Sequence, residues 1–136
     1  MTPSFARSVL ARAASLPEVA ARLPEGTSTI AVRITGDREL GRLNKAFAGN
    51  DSITDVLSFA GSGDHLGDLA ISWAMIVRQA AEYGQTPATE FALICVHGLL
   101  HLLGWDHAAP AERKEMVRLT VAALGLSDLR LATGRL

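Results

Sequence analysis

The sequence has little of what marks a secreted or membrane protein. Its single cysteine, Cys95, cannot form an internal disulfide, and it lies in an apolar run. This position is typical of a small buried hydrophobic residue in a protein from a reducing compartment. No uninterrupted apolar stretch reaches the roughly 18 residues of a membrane span, and no compact apolar segment follows the arginines near the N-terminus. We therefore expect a cytoplasmic protein that is neither secreted nor inserted into a membrane.

The sequence also lacks a strong excess of charge. Thirteen basic and 14 acidic residues leave a formal net charge of -1, so the broad basic surface of a general nucleic-acid binder is missing. Any contact with RNA would have to come from a local patch. The length of 136 residues, 49% of them hydrophobic, predicts a single globular domain over residues 1–136. Trp73 and Trp105 are interpreted as packing residues rather than base-stacking platforms.

Hydrophobic periodicity predicts alternating helices and strands. Apolar residues recur at helical spacing from Val9 to Leu23, which indicates one or two helices, and Thr29–Thr35 alternates as a half-buried strand does. The helical period returns between Leu40 and Phe47. Two further strands are expected as a hairpin, followed by three helices. The predicted boundaries are Val56–Ala60 and Leu66–Ser72 with the loop Gly61–His65, a helix from Trp73 to near Gly84, one opened by Thr86 and Pro87, and one from Pro110 to near Gly125.

This order predicts an α+β fold. No repeat or linker interrupts the chain, so we expect a small mixed sheet of three to four strands with surrounding helices. Nearly every residue from Phe91 to Leu103 is apolar, which predicts a central helix buried on most sides. The tail from Ser127 is expected to be loosely held.

The central helix carries the most informative residues of the sequence. Three of the four histidines, His97, His101 and His107, fall within eleven residues. His97 and His101 are four residues apart, so on a helix both imidazoles lie on one face. Gly104 can adopt the left-handed conformation that ends a helix, which allows His107 to return toward the same point. The spacing predicts three ligands for one metal ion.

The ligand set favours one catalytic zinc ion. Three imidazoles without a thiolate suit zinc, and they leave the fourth tetrahedral position to water, which ionises near pH ~7 when zinc binds it. His97, His101 and His107 are therefore the predicted metal ligands and the catalytic residues that hold this water. Asp106 is a candidate to accept a hydrogen bond from a ligand histidine and so orient its ring. Cys95 lies off the histidine face, and His65 is expected to be a solvated loop residue.

The same spacing occurs in the metzincin zinc proteases. Their motif has a glutamate directly after the first histidine, where it acts as the general base. Here that residue is Gly98. Without the glutamate a peptidase loses its usual proton acceptor, so metalloprotease activity is the less favoured alternative and another kind of hydrolase is indicated.

Residues 97–107 also match the signature H-G-x-L-H-L-x-G-x-D-H of the YbeY-type endoribonucleases, also called rRNA maturation factors. The resemblance covers roughly residues 30–125. Further matching positions are Leu43, Asn44, Asp51, Thr54 to Phe59, Leu66 to Asp68, and Met116. The resemblance implies a zinc-dependent, single-strand-specific endoribonuclease that acts in 3′-end maturation of 16S ribosomal RNA and in ribosome quality control. Its implied partners are ribosomal RNA and the small ribosomal subunit.

The resemblance also suggests where substrate binds, and this chain departs from the family pattern at one position. The strip from Asn44 to Phe59 is the implied wall of the substrate cleft, with Asn44, Lys45, Asp55 and Ser58 as candidate substrate contacts. Similar proteins usually have an arginine where this chain has Ala48, and that guanidinium is expected to hold a phosphate. Lys45, Arg42 or Arg38 could compensate. Ala48 therefore leaves a second possibility, a non-cleaving, zinc-stabilised ribosome assembly factor.

Overall fold

The computed structural model describes residues 2–26, 29–48 and 56–136. Within these ranges the chain forms six helices and three strands. In chain order they are α1 (Pro3–Ala14), α2 (Pro17–Arg22), β1 (Thr29–Thr35), α3 (Asp37–Ala48), β2 (Val56–Ala60), β3 (His65–Ser72), α4 (Trp73–Tyr83), α5 (Pro87–Leu102) and α6 (Pro110–Gly125). Among the described residues, no helix combines the length and apolar character that are needed to cross a membrane.

The three strands form one mixed sheet in the order β1-β3-β2. β1 runs parallel to β3, and β2 pairs antiparallel with β3 across the expected hairpin. A hairpin needs only a short loop, whereas the parallel pair needs a longer connection, which here includes α3. The structure confirms the predicted α+β fold with a small mixed sheet.

One residue of the hairpin differs from the prediction. His65 is the first residue of β3 and pairs with Thr29, so it is not a loop residue. Its ring is half-buried, with Nδ1 2.7 Å from the Thr29 hydroxyl oxygen and Nε2 3.2 Å from a carboxylate oxygen of Asp68. The strand begins earlier than the apolar pattern suggests because these polar contacts, and not burial of an apolar side chain, hold its first residue.

The two faces of the sheet are covered by different helices. A Cβ atom added to Gly98 of α5 would lie 2.7 Å from Leu69, so Leu69 points toward α5. Alternate residues of a strand point to opposite faces, and Ala70 therefore faces the other way. Ala70 lines a small cavity together with Leu43 of α3. The sheet thus lies between α3 and α5.

The helix α5 occupies the centre of the fold, as predicted. It contacts α1, α4 and α6 as well as β2 and β3. The Thr86 hydroxyl accepts a hydrogen bond from the backbone N–H of Thr89 at 3.2 Å, and Pro87 follows in the first turn, which confirms the predicted helix start. Every α5 residue from Phe91 to Val96 is buried. The apolar composition of this segment is therefore explained by burial on most sides.

Polar contacts fix α3 to the opposite side of the sheet. Asp37, the first residue of α3, accepts a hydrogen bond from the Ser72 hydroxyl and another from Arg78 at 2.8 Å. The Ser72 hydrogen bond and the Arg78 guanidinium hold the pKa of Asp37 below its ordinary value. Leu40, one turn later, is fully buried. These contacts join the first turn of α3 to the junction between β3 and α4.

The C-terminal tail is held, contrary to the expectation from sequence. Arg135 donates two hydrogen bonds, of 2.9 and 2.7 Å, to the carboxylate of Glu90 in α5, which is completely buried. Gln85 donates a third hydrogen bond to this carboxylate at 2.8 Å and accepts one from the backbone N–H of Ala132. A buried carboxylate needs such partners, and the tail supplies them. Composition alone gives no sign of this contact.

We predict that Arg135→Met lowers the free energy of unfolding by about 3–5 kcal/mol, because it leaves the buried Glu90 charge without its guanidinium partner. Urea denaturation measures this loss. Arg118→Met is the control, because it removes the exposed Arg118–Glu18 ion pair and should cost little. The double variant Glu90→Leu/Arg135→Met should recover much of the loss. Equal destabilisation by Arg135→Met and Arg118→Met would show that the tail contact has no special role.

Candidate metal centre

Two of the three candidate ligands come from the last two turns of α5. His97 and His101 lie on one face of the helix, with ring centroids 6.5 Å apart and ring planes at 81°. Both side chains are partly buried. The helix therefore presents two imidazoles side by side at the edge of the core, as their spacing predicts.

The turn after α5 brings the third histidine to the same place. Gly104 has φ +94°, a conformation that other residues adopt at a cost. Its N–H donates to the His101 carbonyl, and the N–H of Trp105 donates to the Leu100 carbonyl, both at 3.0 Å. This pair of bonds is a Schellman helix end. The ring of His107 then lies 5.1 Å, centroid to centroid, from the ring of His101.

The three imidazoles differ in how deeply they are buried. Burial, followed by the neighbouring His101, lowers the pKa of His97 to about 4. His97 is therefore neutral near pH 7, and a neutral imidazole has the lone pair that a metal ligand needs. His107 is exposed on its turn. The site has a buried side on α5 and an open side toward solvent.

Three imidazoles are suitable ligands for a zinc ion, and one of the two ring separations matches a tetrahedral zinc site. With Zn–N bonds of ~2.0–2.1 Å, two imidazoles on one tetrahedral ion have centroids roughly 5 Å apart. The His101–His107 separation of 5.1 Å meets this value, whereas the 6.5 Å between His97 and His101 is wider. Among the described residues, no group of three or more histidine, cysteine, aspartate or glutamate side chains lies close enough together to hold a metal ion as the side chains stand. The His97 ring would have to turn toward the other two.

The residue that replaces the protease glutamate faces the sheet. A Cβ atom at position 98 would lie within 3 Å of both Leu69 methyl carbons, and Leu69 is fully buried. A longer side chain at this position would collide with β3. Gly98 is therefore explained by close packing of helix on sheet, and the position has no room for the general base of a metzincin.

Two neighbouring residues have structural roles. Cys95 is completely buried, and burial raises the pKa of its thiol to about 12. It therefore remains a protonated core residue, as expected. The Asp106 carboxylate accepts a hydrogen bond from the Ala108 N–H at 2.9 Å. This bond stabilises the turn that carries His107.

The candidate substrate contacts are divided between the two sides of the sheet. Ser58 of β2 is exposed, and it pairs with Leu69, so both side chains lie on the face toward α5. Lys45 is exposed on α3, across the sheet. Asp55 and the side chains of Asn44 and Ala48 lie outside what the structure describes. Of the compensating cations, Arg42 donates hydrogen bonds to Glu39 at 3.0 and 2.7 Å.

The residues that contact the turn from other elements are not evident in the sequence pattern around the histidines. Arg22 of α2 stacks on the ring of Trp105, and Glu112 and Glu115 of α6 accept hydrogen bonds from the turn. Arg22 is far away in sequence, so no spacing rule could relate it to the histidines. The two glutamates lie three residues apart in the helix that follows the motif, so they share one face of that helix. This spacing was the available signal.

Comparison with known proteins gives consistent matches. The family model described as Endoribonuclease YbeY matches residues 3–125. The Endoribonuclease YbeY of Chloroflexus aurantiacus is 48% identical over 118 residues, which cover 77% of this chain and 76% of the relative. That of Chloroflexus aggregans is 42% identical over 135 residues, 88% of each chain. The solution structure of a Thermotoga maritima protein has the same fold, with a TM-score of 0.62 at 21% identity, over 92% of this chain and 85% of that one.

We predict that Gly104→Ala lowers the free energy of unfolding by about 1–2 kcal/mol, because alanine resists the left-handed conformation of the turn. The matched control is Gly125→Ala at the end of α6, where φ is not positive and a Cβ atom meets nothing within 4 Å. Alanine there should be neutral or slightly stabilising. Chemical denaturation of both variants measures these changes in the free energy of unfolding. If the two substitutions had the same effect, the turn would not depend on glycine.

Proposed function

The chain belongs to the endoribonuclease YbeY family, and from this membership we propose that it is a zinc-dependent, single-strand-specific endoribonuclease. Family membership confirms the nuclease-type hydrolase that the sequence predicts. We further propose that it acts on ribosomal RNA of the small subunit, in 3′-end maturation of 16S rRNA and in ribosome quality control, in the cytoplasm. The observation that carries the proposal is the grouping of three imidazoles at the end of α5.

His97, His101 and His107 would hold the ion. Zinc at such a site supplies Lewis acidity that activates water for attack on a phosphodiester bond. The protein contributes the arrangement of the ligands. The last turns of α5 place His97 and His101 on one face of the helix, and burial keeps His97 unprotonated near neutral pH. The left-handed Gly104 turns the chain so that the exposed His107 lies beside His101.

The RNA would approach the open side of the histidines. Ser58 lies on the sheet face toward α5, which supports its role as a substrate contact. Lys45 is exposed on α3, in the helix that leads toward residues 49–55 and then β2, and we propose that it contributes a phosphate contact in place of the family arginine. Asn44 and Asp55 complete the proposed substrate contacts.

The test is cleavage of small-subunit rRNA with an unprocessed 3′ end by the zinc-loaded protein, followed on a gel. We expect the wild type to cleave and His101→Ala to fail, because the variant lacks one of the three imidazoles. Removal of zinc by a chelator should abolish cleavage, and added zinc should restore it. Cleavage by His101→Ala at the wild-type rate would refute a metal-dependent reaction at this site.

The same assay separates the proposal from the assembly-factor alternative, which Ala48 keeps open. RNA binding without cleavage by the wild type would favour a non-cleaving factor, and Ala48→Arg should then restore cleavage if the missing guanidinium is the cause. Lys45→Ala should weaken RNA binding, and unchanged binding and cleavage would exclude Lys45. Casein should not be hydrolysed, because position 98 has no general base.

A further inference from the structure

The turn between α5 and α6 must hold an exposed ligand in a definite position. His107 lies three residues beyond the left-handed Gly104, and Gly104, Asp106, His107 and Ala108 are all exposed. Packing of these residues in the core therefore cannot fix the imidazole. Loops without such packing open readily, so other contacts must hold this segment.

Trp105 anchors the turn from within. It is 2% exposed, although both its neighbours are exposed. Its indole Nε1–H donates to Glu115 Oε1 of α6 at 3.1 Å. On the ring face, the guanidinium carbon of Arg22 from α2 lies 3.6 Å from the ring centroid, a cation–π contact. The indole is therefore held by a carboxylate at its edge and a cation on its face.

Glu112 joins these contacts to the backbone next to the ligand. Its Oε2 accepts a hydrogen bond from the Asp106 N–H at 3.3 Å, one residue before His107. Its Oε1 accepts from Arg22 Nη2 at 3.4 Å. One carboxylate therefore connects the stacked guanidinium to the backbone of the turn, and Arg22 contacts both Trp105 and Glu112.

We propose that Arg22, Glu112 and Glu115, which we call the turn brace, are positioning residues that set His107 at the distance needed to share a metal ion with His97 and His101. This inference rests on the proposed zinc site. The brace touches neither the ion nor the substrate. It acts through Trp105 and Asp106, and α2 thereby takes part in metal binding although it contains none of the ligands.

A purely structural role is the competing explanation, because the same contacts join α2 to α6. The chain contains a matched control for that role. Arg118 of α6 donates to Glu18 of α2 at 2.8 Å, and this ion pair links the same two helices; within the described residues it makes no hydrogen bond to the turn. Loss of the Arg118–Glu18 pair should weaken the link between the helices and leave the ligand in place.

The experiment measures the dissociation constant for Zn²⁺ by competition with a chromophoric chelator, using the full chain. The variants are Arg22→Ala, Glu112→Ala and Glu112→Gln, with Arg118→Ala as the control and His107→Ala as the reference for a missing ligand. Thermal unfolding in excess chelator reports the stability of the metal-free protein. Changes to groups that orient ligands typically weaken metal binding by roughly 10–100-fold. We expect losses in this range for Glu112→Ala and Arg22→Ala.

The control variant should keep the wild-type zinc affinity. Glu112→Gln should recover most of the affinity lost in Glu112→Ala, since its amide oxygen can still accept from the Asp106 N–H. If Glu112→Ala and Arg22→Ala kept the wild-type zinc affinity while His107→Ala lost affinity, the positioning role of the turn brace would be refuted. The zinc site itself would be supported. Equal losses in Arg118→Ala and Glu112→Ala would also refute the positioning role. If the wild type bound no zinc, the brace and the proposed function would fall together.

Discussion

The close packing of α5 on the sheet is the contact on which the rest of the structure depends. Gly98 lies against Leu69, so the helix and β3 approach more closely than a side chain at this position would allow. This approach buries the apolar residues of α5 and leaves the face with His97 and His101 at the edge of the core. The same contact removes the position from which a metzincin glutamate would act. Gly98 thus sets the packing of α5 on β3 and leaves no general base at this position.

Much of this arrangement can be predicted from sequence, because local rules determine it. The strand Thr29–Thr35, the cap at Thr86 and the glycine at position 104 each have a physical cause within a few residues, and the structure confirms all three elements, but the alternating burial of the strand ends at the exposed Ile34. The misplaced features depend on partners distant in sequence. His65 contacts Thr29, which lies 36 residues earlier, and Arg135 of the tail contacts the buried Glu90, 45 residues earlier. Arg22 of α2, which is also distant in sequence, stacks on Trp105.

The buried and exposed parts of the site have different physical supports. His97 is held by a helix that is packed in the core, and its low pKa follows from the same burial. His107 lies on an exposed turn whose position depends on polar and cation–π contacts from α2 and α6. Such contacts are directional, so they can set the position of a ligand that the core does not reach. The proposed metal centre would thus keep one side open to solvent, where an RNA substrate can approach.

We propose that one zinc ion is shared by three histidines and no other protein ligand. The most direct measurement is anomalous diffraction at the zinc edge from crystals of the zinc-loaded protein. We expect one zinc ion bonded to a nitrogen of His97, His101 and His107 at about 2.0–2.1 Å, with a fourth position open to solvent. Zinc bound elsewhere, or closed off by a fourth protein ligand, would contradict it.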